Sequence, residues 1–281
     1  KCNNKNIPSA LFLQGNSGFN IKTGEAFSNE KHKSISKAIF GEGNKSELLI
    51  GKVAVEKYGI AKNGFNVGSI QFALHYMFEN PLIFNSFLQN LSESININGY
   101  FIGTCYDGKK IFEKLKDINI NESYTIIKNS KKILEITKKY SNDAFNDDET
   151  CLGYSIDVFQ ESINKTFKEY LVNFEYLTRV LENYGFVPLN ETELEELNLN
   201  SSYGNFNYLF NQMNNEIEKD IKLKNNIGKA NEISDEEKQI SFLNNYFIFK
   251  KIRNVNTNEI ITTALYQDNT ILKTDKNEIS N

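Results

Sequence analysis

The stretch FNVGSIQFALHYMFEN, residues 65–80, decides how this chain folds. Its first half carries Phe65, Val67 and Ile70, residue types that suit a pleated, half-buried strand. A strand that only fills a core ends in turn residues. This one runs instead into Gln71, His75 and Tyr76, groups that hydrogen-bond and stack. Asn80 and Pro81 then supply an N-cap and a first-turn residue, and Ile83, Phe84, Phe87, Leu88 and Leu91 share one helical face. NINGYFIGTCYDG (96–108) reads as a turn, a strand at about 100–105 and a second turn, after which KKIFEKLKDI restarts a helix. Strand, helix, strand in this order implies a parallel crossover, hence an α/β sheet covered by helices. Ligands of such sheets bind beyond the carboxyl ends of the strands.

Upstream, SALFLQGNSG (9–18) reads as a short apolar strand stopping at Gly15, Asn16 and Ser17. Three segments are therefore expected at one edge: Asn16 and Ser17, Gln71 to Tyr76, and Thr104 to Asp107. Ile35, Ala38 and Ile39 mark a helix, and AVEKYGI another, closed by Gly59. Beyond residue 120 the pattern changes. ESYTIIKN and CLGYSIDVF read as antiparallel strands separated by a lysine-rich helix, SKKILEITKKY. Phe167, Leu171, Phe174, Leu177 and Leu181 then predict a helix over 166–184, with Gly185 as its stop. GFVPL and FLNNYFIFKKI read as the last strands of the main sheet, the acidic, Asn-rich stretch between them as helix and surface loop. Residues past 253 read as a tail holding one short strand, IITTALY.

With 281 residues, 40% of them hydrophobic, the chain can bury one sizeable core. No apolar run approaches the roughly 18 residues that cross a membrane as a helix, so no membrane partner is expected. Cys2, Cys105 and Cys151 are too few and too scattered for a disulfide framework or a structural zinc site, which points to a reducing compartment. No His, Cys or carboxylate cluster has metal-ligand spacing, and no metal is expected. A formal charge of -4 argues against a bulk electrostatic grip on nucleic acid. Lys109, Lys110, Lys114 and Lys116, with Lys128, Lys131 and Lys132, form a local basic strip, read either as a solvated surface or as contacts to phosphates. GEGNKS (41–46) lacks a preceding strand and the Gly-Lys-Ser spacing of a phosphate loop, and reads as a turn.

FNVGSIQFALHYMFEN, NINGYFIGTCYDGKKIF and FKEYLVNF, in this order and spacing, resemble the mRNA cap guanine-N7 methyltransferases. LFLQGNSGFNIKTGEAF and AIFGEG look more like the versions in capping enzymes of large cytoplasmic DNA viruses. The resemblance covers roughly residues 9–252. It implies a Rossmann-like S-adenosylmethionine (SAM)-dependent methyltransferase sheet with helices on both faces. A small antiparallel insertion at about 120–163 would lie on the substrate side, and a tail would occupy 254–281. The implied reaction moves the methyl of SAM to N7 of the cap guanine. N7 carries a lone pair and no proton, so the site needs binders rather than a catalytic triad.

By position in the resemblance, Asn16 and Ser17 match a pair beside the SAM adenine, and Gln71 and Tyr76 match the SAM side. His75 with Tyr76 matches the wall of the guanine pocket. Glu169, expected in the first turns of the 166–184 helix, matches the carboxylate that reads guanine. Lys109 and Lys110 are the weaker candidates for RNA phosphates. A family tyrosine near the final strand has no clean match here: Asn244 takes its place, with Tyr246 two residues on. The family's glycine-rich SAM loop and the acidic residue ending its second strand would precede Lys1. Domain 1–253 is thus expected to lack part of its donor site, to be inactive alone, and to belong to a longer cytoplasmic polypeptide. The implied partner is the capped mRNA 5′ end, with triphosphatase and guanylyltransferase domains in the same parent chain. Two rivals stand beside this reading: a non-catalytic methyltransferase-like module that binds RNA or activates a partner, and a SAM methyltransferase for another substrate.

Overall fold

The computed structural model describes residues 10–264. Cys2, Ser9 and the part of the expected tail from 265 to 281 lie outside the described residues. Helices α1 (Glu30–Ile39), α2 (Glu47–Ile50) and α3 (Lys52–Glu56) precede strand β1 (Phe65–Gln71). Helix α4 (Pro81–Ser94) leads to β2 (Ile95–Tyr106) and α5 (Gly108–Lys114). Strands β3 (Ser123–Lys128), β4 (Lys131–Lys138), β5 (Ser155–Gln160) and β6 (Lys165–Tyr170) follow in succession. Then come α6 (Phe174–Asn183), β7 (Phe186–Pro188), α7 (Glu191–Glu196), β8 (Tyr203–Asn205), α8 (Phe206–Lys219), α9 (Ile221–Asn226), α10 (Asp235–Ser241) and β9 (Asn244–Lys251).

The main sheet is mixed, in the order β1-β2-β9-β7 with β8 added against β9. β1 and β2 run parallel, joined through α4, and their register sets Gln71 beside Thr104. β9 returns antiparallel, pairing Tyr106 with Asn244. The α/β architecture expected from the 65–108 pattern is therefore present. Helix α4 forms as its sequence dictates: Asn80 accepts the Ile83 N–H at 3.0 Å and Pro81 needs no donor partner. Its apolar face, with Phe84, Phe87 and Leu88, packs with Leu177 and Leu181 of α6 against Phe101, Phe247 and Phe249 of the sheet. Burying each such side chain contributes roughly 1.5–3 kcal/mol. A smaller cluster around Ile35, Ala38, Ile50 and Ala61 holds the N-terminal helices together.

Strands β3 to β6 form a separate four-stranded antiparallel sheet. Two expectations fail within it. SKKILEITKKY is not a helix but the strand β4, joined to β3 by the two-residue turn Asn129-Ser130. Both turn residues have positive φ, 51° and 61°, as the tightest hairpin turns require. FKEYLV likewise belongs to β6 and its exit, so Glu169 sits on a strand and the helix begins only at Phe174, capped by Asn173. Helical spacing from Phe167 to Leu181 arose because a strand, a short link and a helix place their apolar residues in series. Gly185, with φ of 91°, does stop the helix. Residues 10–16 form no strand, and 257–264 are helical where IITTALY read as extended.

The two sheets are joined at Gly108. A β-carbon there would lie 2.4 Å from the Val172 carbonyl oxygen and 2.6 Å from its nitrogen. Only glycine lets the start of α5 sit against the chain leaving β6, and the Gly108 N–H donates to Val172 O at 3.0 Å. That contact brings the β6 side chains to the carboxyl end of β1.

Candidate functional site

Beyond Gln71 the chain leaves β1 through Phe72, in the left-handed region at φ 50°, and winds into a 3-10 turn, Leu74–Phe78. His75 points from this turn into the protein and is 5% exposed, while Tyr76 beside it is 39% exposed. Their rings meet edge to face, centroids 4.2 Å apart. From the other sheet, strand alternation puts Phe167 and Glu169 on one face of β6. Tyr106 and Asn244, register partners, complete the wall of a cavity of about 410 Å³ bordered by all of these residues. That volume falls within the range of small-molecule sites.

The electrostatics of this cavity are unusual. His75 Nδ1 and Glu169 Oε2 lie 3.5 Å apart, yet not aligned for a hydrogen bond, and among the described residues neither atom has a hydrogen-bond partner. His75 Nε2 is equally buried and, among the described residues, equally without a partner. Burial alone lowers the imidazole to about 4 and raises the carboxyl to about 7. Buried polar atoms left unpaired cost free energy, so their presence together in a cavity marks a ligand site. At neutral pH the imidazole is uncharged, with one donor and one acceptor nitrogen, and the carboxyl is close to its titration midpoint. Burial, then the charges of Asp107 and Glu169, push the Cys105 thiol at the cavity wall well upward, so no thiolate nucleophile is on offer.

At the end of β1 and outside this cavity's lining, Gln71 accepts from the Thr104 hydroxyl at 2.8 Å and donates to Ser69 Oγ at 3.0 Å. These bonds hold its exposed amide at the strand end. Asn90 of α4 fixes the Asn16–Ser17 segment by donating to the carbonyls of Ser17, at 2.9 Å, and Phe19, at 2.7 Å. The Ser17 hydroxyl lies 3.8 Å from Met77 Sδ, in the turn that carries His75, and Asn16 Oδ1 accepts the Gly18 N–H. The fold thus brings Ser17 to the same turn as His75 and Tyr76. Asn16 and Ser17 do not line the cavity of Glu169, and Ser17 borders a separate apolar one with Leu13 and Phe27.

Lys109 and Lys110 are not brought to this cavity. Lys109 Nζ bridges Asp147, at 2.8 Å, and Glu175, at 3.1 Å, while Lys110 Nζ donates to Phe242 O. Asn244 does occupy the wall, its amide nitrogen spent on the carbonyls of Ile240 and Ser241. Tyr246 bonds instead to Asn200 and Ser201, away from the cavity. Tyr106, Phe167 and Phe72 are wall residues not singled out from sequence. Tyr106 lay within the Thr104–Asp107 segment expected at the ligand edge, and Phe167 two positions before Glu169; both signals were there to follow.

The family model of the mRNA (guanine-N(7))-methyltransferase domain matches residues 22–252, most of the chain. The chain belongs to this family. As a member of the guanine-N7 methyltransferase family it is 29% identical over 229 residues to a probable mRNA-capping enzyme of Acanthamoeba polyphaga mimivirus, covering 74% of this chain and 19% of that protein. It is 25% identical over 221 residues to the mRNA cap guanine-N(7) methyltransferase of Eremothecium gossypii, covering 73% of this chain and 48% of that one. The chain thus spans about a fifth and about half of these two relatives. Among solved structures, the CcbJ methyltransferase of Streptomyces caelestis aligns at 8% identity and a TM-score of 0.36, over 75% of this chain and 65% of that one. Among the described residues no helix is long and apolar enough to cross a membrane, and no group of three or more His, Cys, Asp or Glu side chains is placed to hold a metal.

Proposed function

We propose that this family member transfers a methyl group from SAM to N7 of the cap guanine of mRNA, with the His75–Glu169 cavity as the guanine pocket. The observation that carries this reading is the unpartnered buried pair within that cavity. A Glu169 carboxylate accepts from guanine N1–H and the 2-amino group together, filling two acceptor positions at once. His75, neutral at working pH, offers a donor or an acceptor to the same base, and Tyr76, Tyr106 and Phe167 close around its faces. Methylation at N7 makes the base cationic, which a buried carboxylate favours, so Glu169 stabilises charge that develops along the reaction.

SAM supplies a methyl carbon already activated on a sulfonium. The side chains that fit the donor lie at or next to this turn: Gln71, held by Thr104 and Ser69; Tyr76, half-exposed; and Ser17, whose carbonyl Asn90 holds, with Asn16 beside it in the chain. Among the described residues the Asn16 amide hydrogens have no partner and could meet a purine ring, and Gln71 offers an amide at the strand end. No residue needs to remove a proton, because N7 carries none; the work of the chain is to hold donor and acceptor in line and exclude water. Phe72, which follows Gln71 in the chain, and Tyr76 both border the Glu169 cavity, so these two rings set that alignment. We further infer that the domain acts within a larger capping polypeptide, in the cytoplasm, on the capped 5′ end of mRNA.

The test uses the polypeptide that carries this chain: transfer of labelled methyl from SAM to GpppA-capped RNA, with the product position assigned by digestion. The expected product is N7-methylguanine, lost by 100-fold or more in Glu169→Gln. Methylation elsewhere on the RNA, or full activity in Glu169→Gln, would refute the assignment.

A further inference from the structure

The surface does not close beyond the guanine pocket. A second depression of about 620 Å³ starts from three of the same wall residues, Phe72, Gln160 and Asn244. It continues between the Lys128–Lys131 turn, Phe206 at the start of α8, and Ile240. Phe72 stands on the border, 55% exposed, with a backbone conformation that a phenylalanine keeps only where its surroundings impose it. Phe206 meets it edge to face, ring centroids 6.3 Å apart. The charges around the rim nearly cancel: Glu237 engages Lys128 at 2.9 Å, Glu161 is also present, and Lys131 forms no ion pair among the described residues. A strip of phosphates needs more positive charge than this. A flat, weakly charged ring with one phosphate near Lys131 does not.

We propose that this depression takes the base of the first nucleotide beyond the cap's triphosphate bridge, stacked on Phe206 with Phe72 at its edge, while guanine occupies the neighbouring pocket. The inference rests on the guanine reading of the His75–Glu169 cavity. Continuity with that cavity selects the occupant, since a ligand filling the first site leaves it past Phe72 and Asn244. Stacking on an aromatic ring tolerates any base. The site therefore favours capped dinucleotides over GTP without choosing strongly between A and G as the first nucleotide.

The experiment compares methyl transfer to GTP, GpppA and GpppG by the polypeptide carrying this chain and by its Phe206→Leu and Phe206→Tyr variants. Leucine keeps the bulk of the side chain without a flat face, and tyrosine keeps the face. Wild type should prefer GpppA and GpppG over GTP by about tenfold in kcat/KM, mainly through KM. Phe206→Leu should bring the ratio toward one and Phe206→Tyr should preserve it. A preference unchanged in Phe206→Leu, or no preference in a wild type that methylates all three, overturns the second subsite and leaves the guanine pocket standing. A wild type that methylates none of the three overturns both.

Discussion

The buried pair makes an unusual prediction about stability and pH. The Glu169 carboxyl titrates at about 7 in the fold against 4.5 when free, and His75 at about 4 against 6.5. The raised Glu169 value contributes stability that is complete below pH 4.5 and is lost as pH rises through 7. The lowered His75 value contributes stability that is complete above pH 6.5 and is lost as pH falls through 4. Between about pH 4.5 and 6.5 the folded chain holds a proton on Glu169 that the unfolded chain has released. Over the same interval the unfolded chain holds one on His75 that the fold refuses. The two slopes cancel, and the pair leaves stability flat.

Removing either member exposes the other. At ~1.36 kcal/mol per pH unit per proton, Glu169→Gln should gain about 2 kcal/mol relative to wild type between about pH 5 and 6.5. His75→Phe, retaining only the carboxyl, should lose about 2 kcal/mol over the same interval. Urea unfolding followed by far-ultraviolet circular dichroism at several pH values measures this, and subtracting wild type removes the slope of every other titrating group. Parallel curves for all three proteins would refute the burial of an uncharged pair. Slopes of the same sign in both variants would do so as well.

The same protonation governs binding. If Glu169 reads guanine as a carboxylate, affinity for GpppA should rise as pH increases toward 7, about tenfold per unit below it, and level off above; Glu169→Gln should bind weakly with no such rise. Gly108→Ala should cost about 1–3 kcal/mol, because the new methyl meets the Val172 backbone and not a movable side chain; thermal unfolding measures it, and a negligible change would mean that the link between the sheets can shift freely. Asn173, fully buried, accepts the Tyr176 N–H at 3.0 Å and donates to Asn146 O and Asp147 at 2.9 Å. Asn173→Ala should therefore cost about 2 kcal/mol in urea unfolding, and a cost under ~0.5 kcal/mol would show that the helix needs no cap there.

The half of the fold that rests on local signals was legible. Asn80, Pro81 and the apolar face from Ile83 to Leu91 specify α4 with little help from elsewhere, and β1 and β2 on either side follow from it. The antiparallel sheet was half hidden because its two turns of meaning are weak in sequence: Asn129-Ser130 takes up positive φ without a glycine, and the lysines of β4 resemble a solvated helix. The sequence singles out Glu169 as a residue but predicts a helix where the structure has a strand. The identity of the side chain came from its neighbours in FKEYLVNF, but its aim came from strand alternation. Tyr106 and Asn244 face each other across 138 positions of sequence, and Phe72 meets Phe206 across a similar distance. Pairings of that range depend on the finished topology, so nothing local announces them.

The most direct test of the central claim is equilibrium binding of GpppA against IpppA, whose hypoxanthine lacks only the 2-amino group, to wild type and Glu169→Gln. If the carboxylate reads N1–H and the 2-amino group together, wild type should favour GpppA by about tenfold or more and Glu169→Gln should bind both weakly and alike. Equal affinity of wild type for the two caps, or a preference that survives in Glu169→Gln, would place guanine recognition elsewhere.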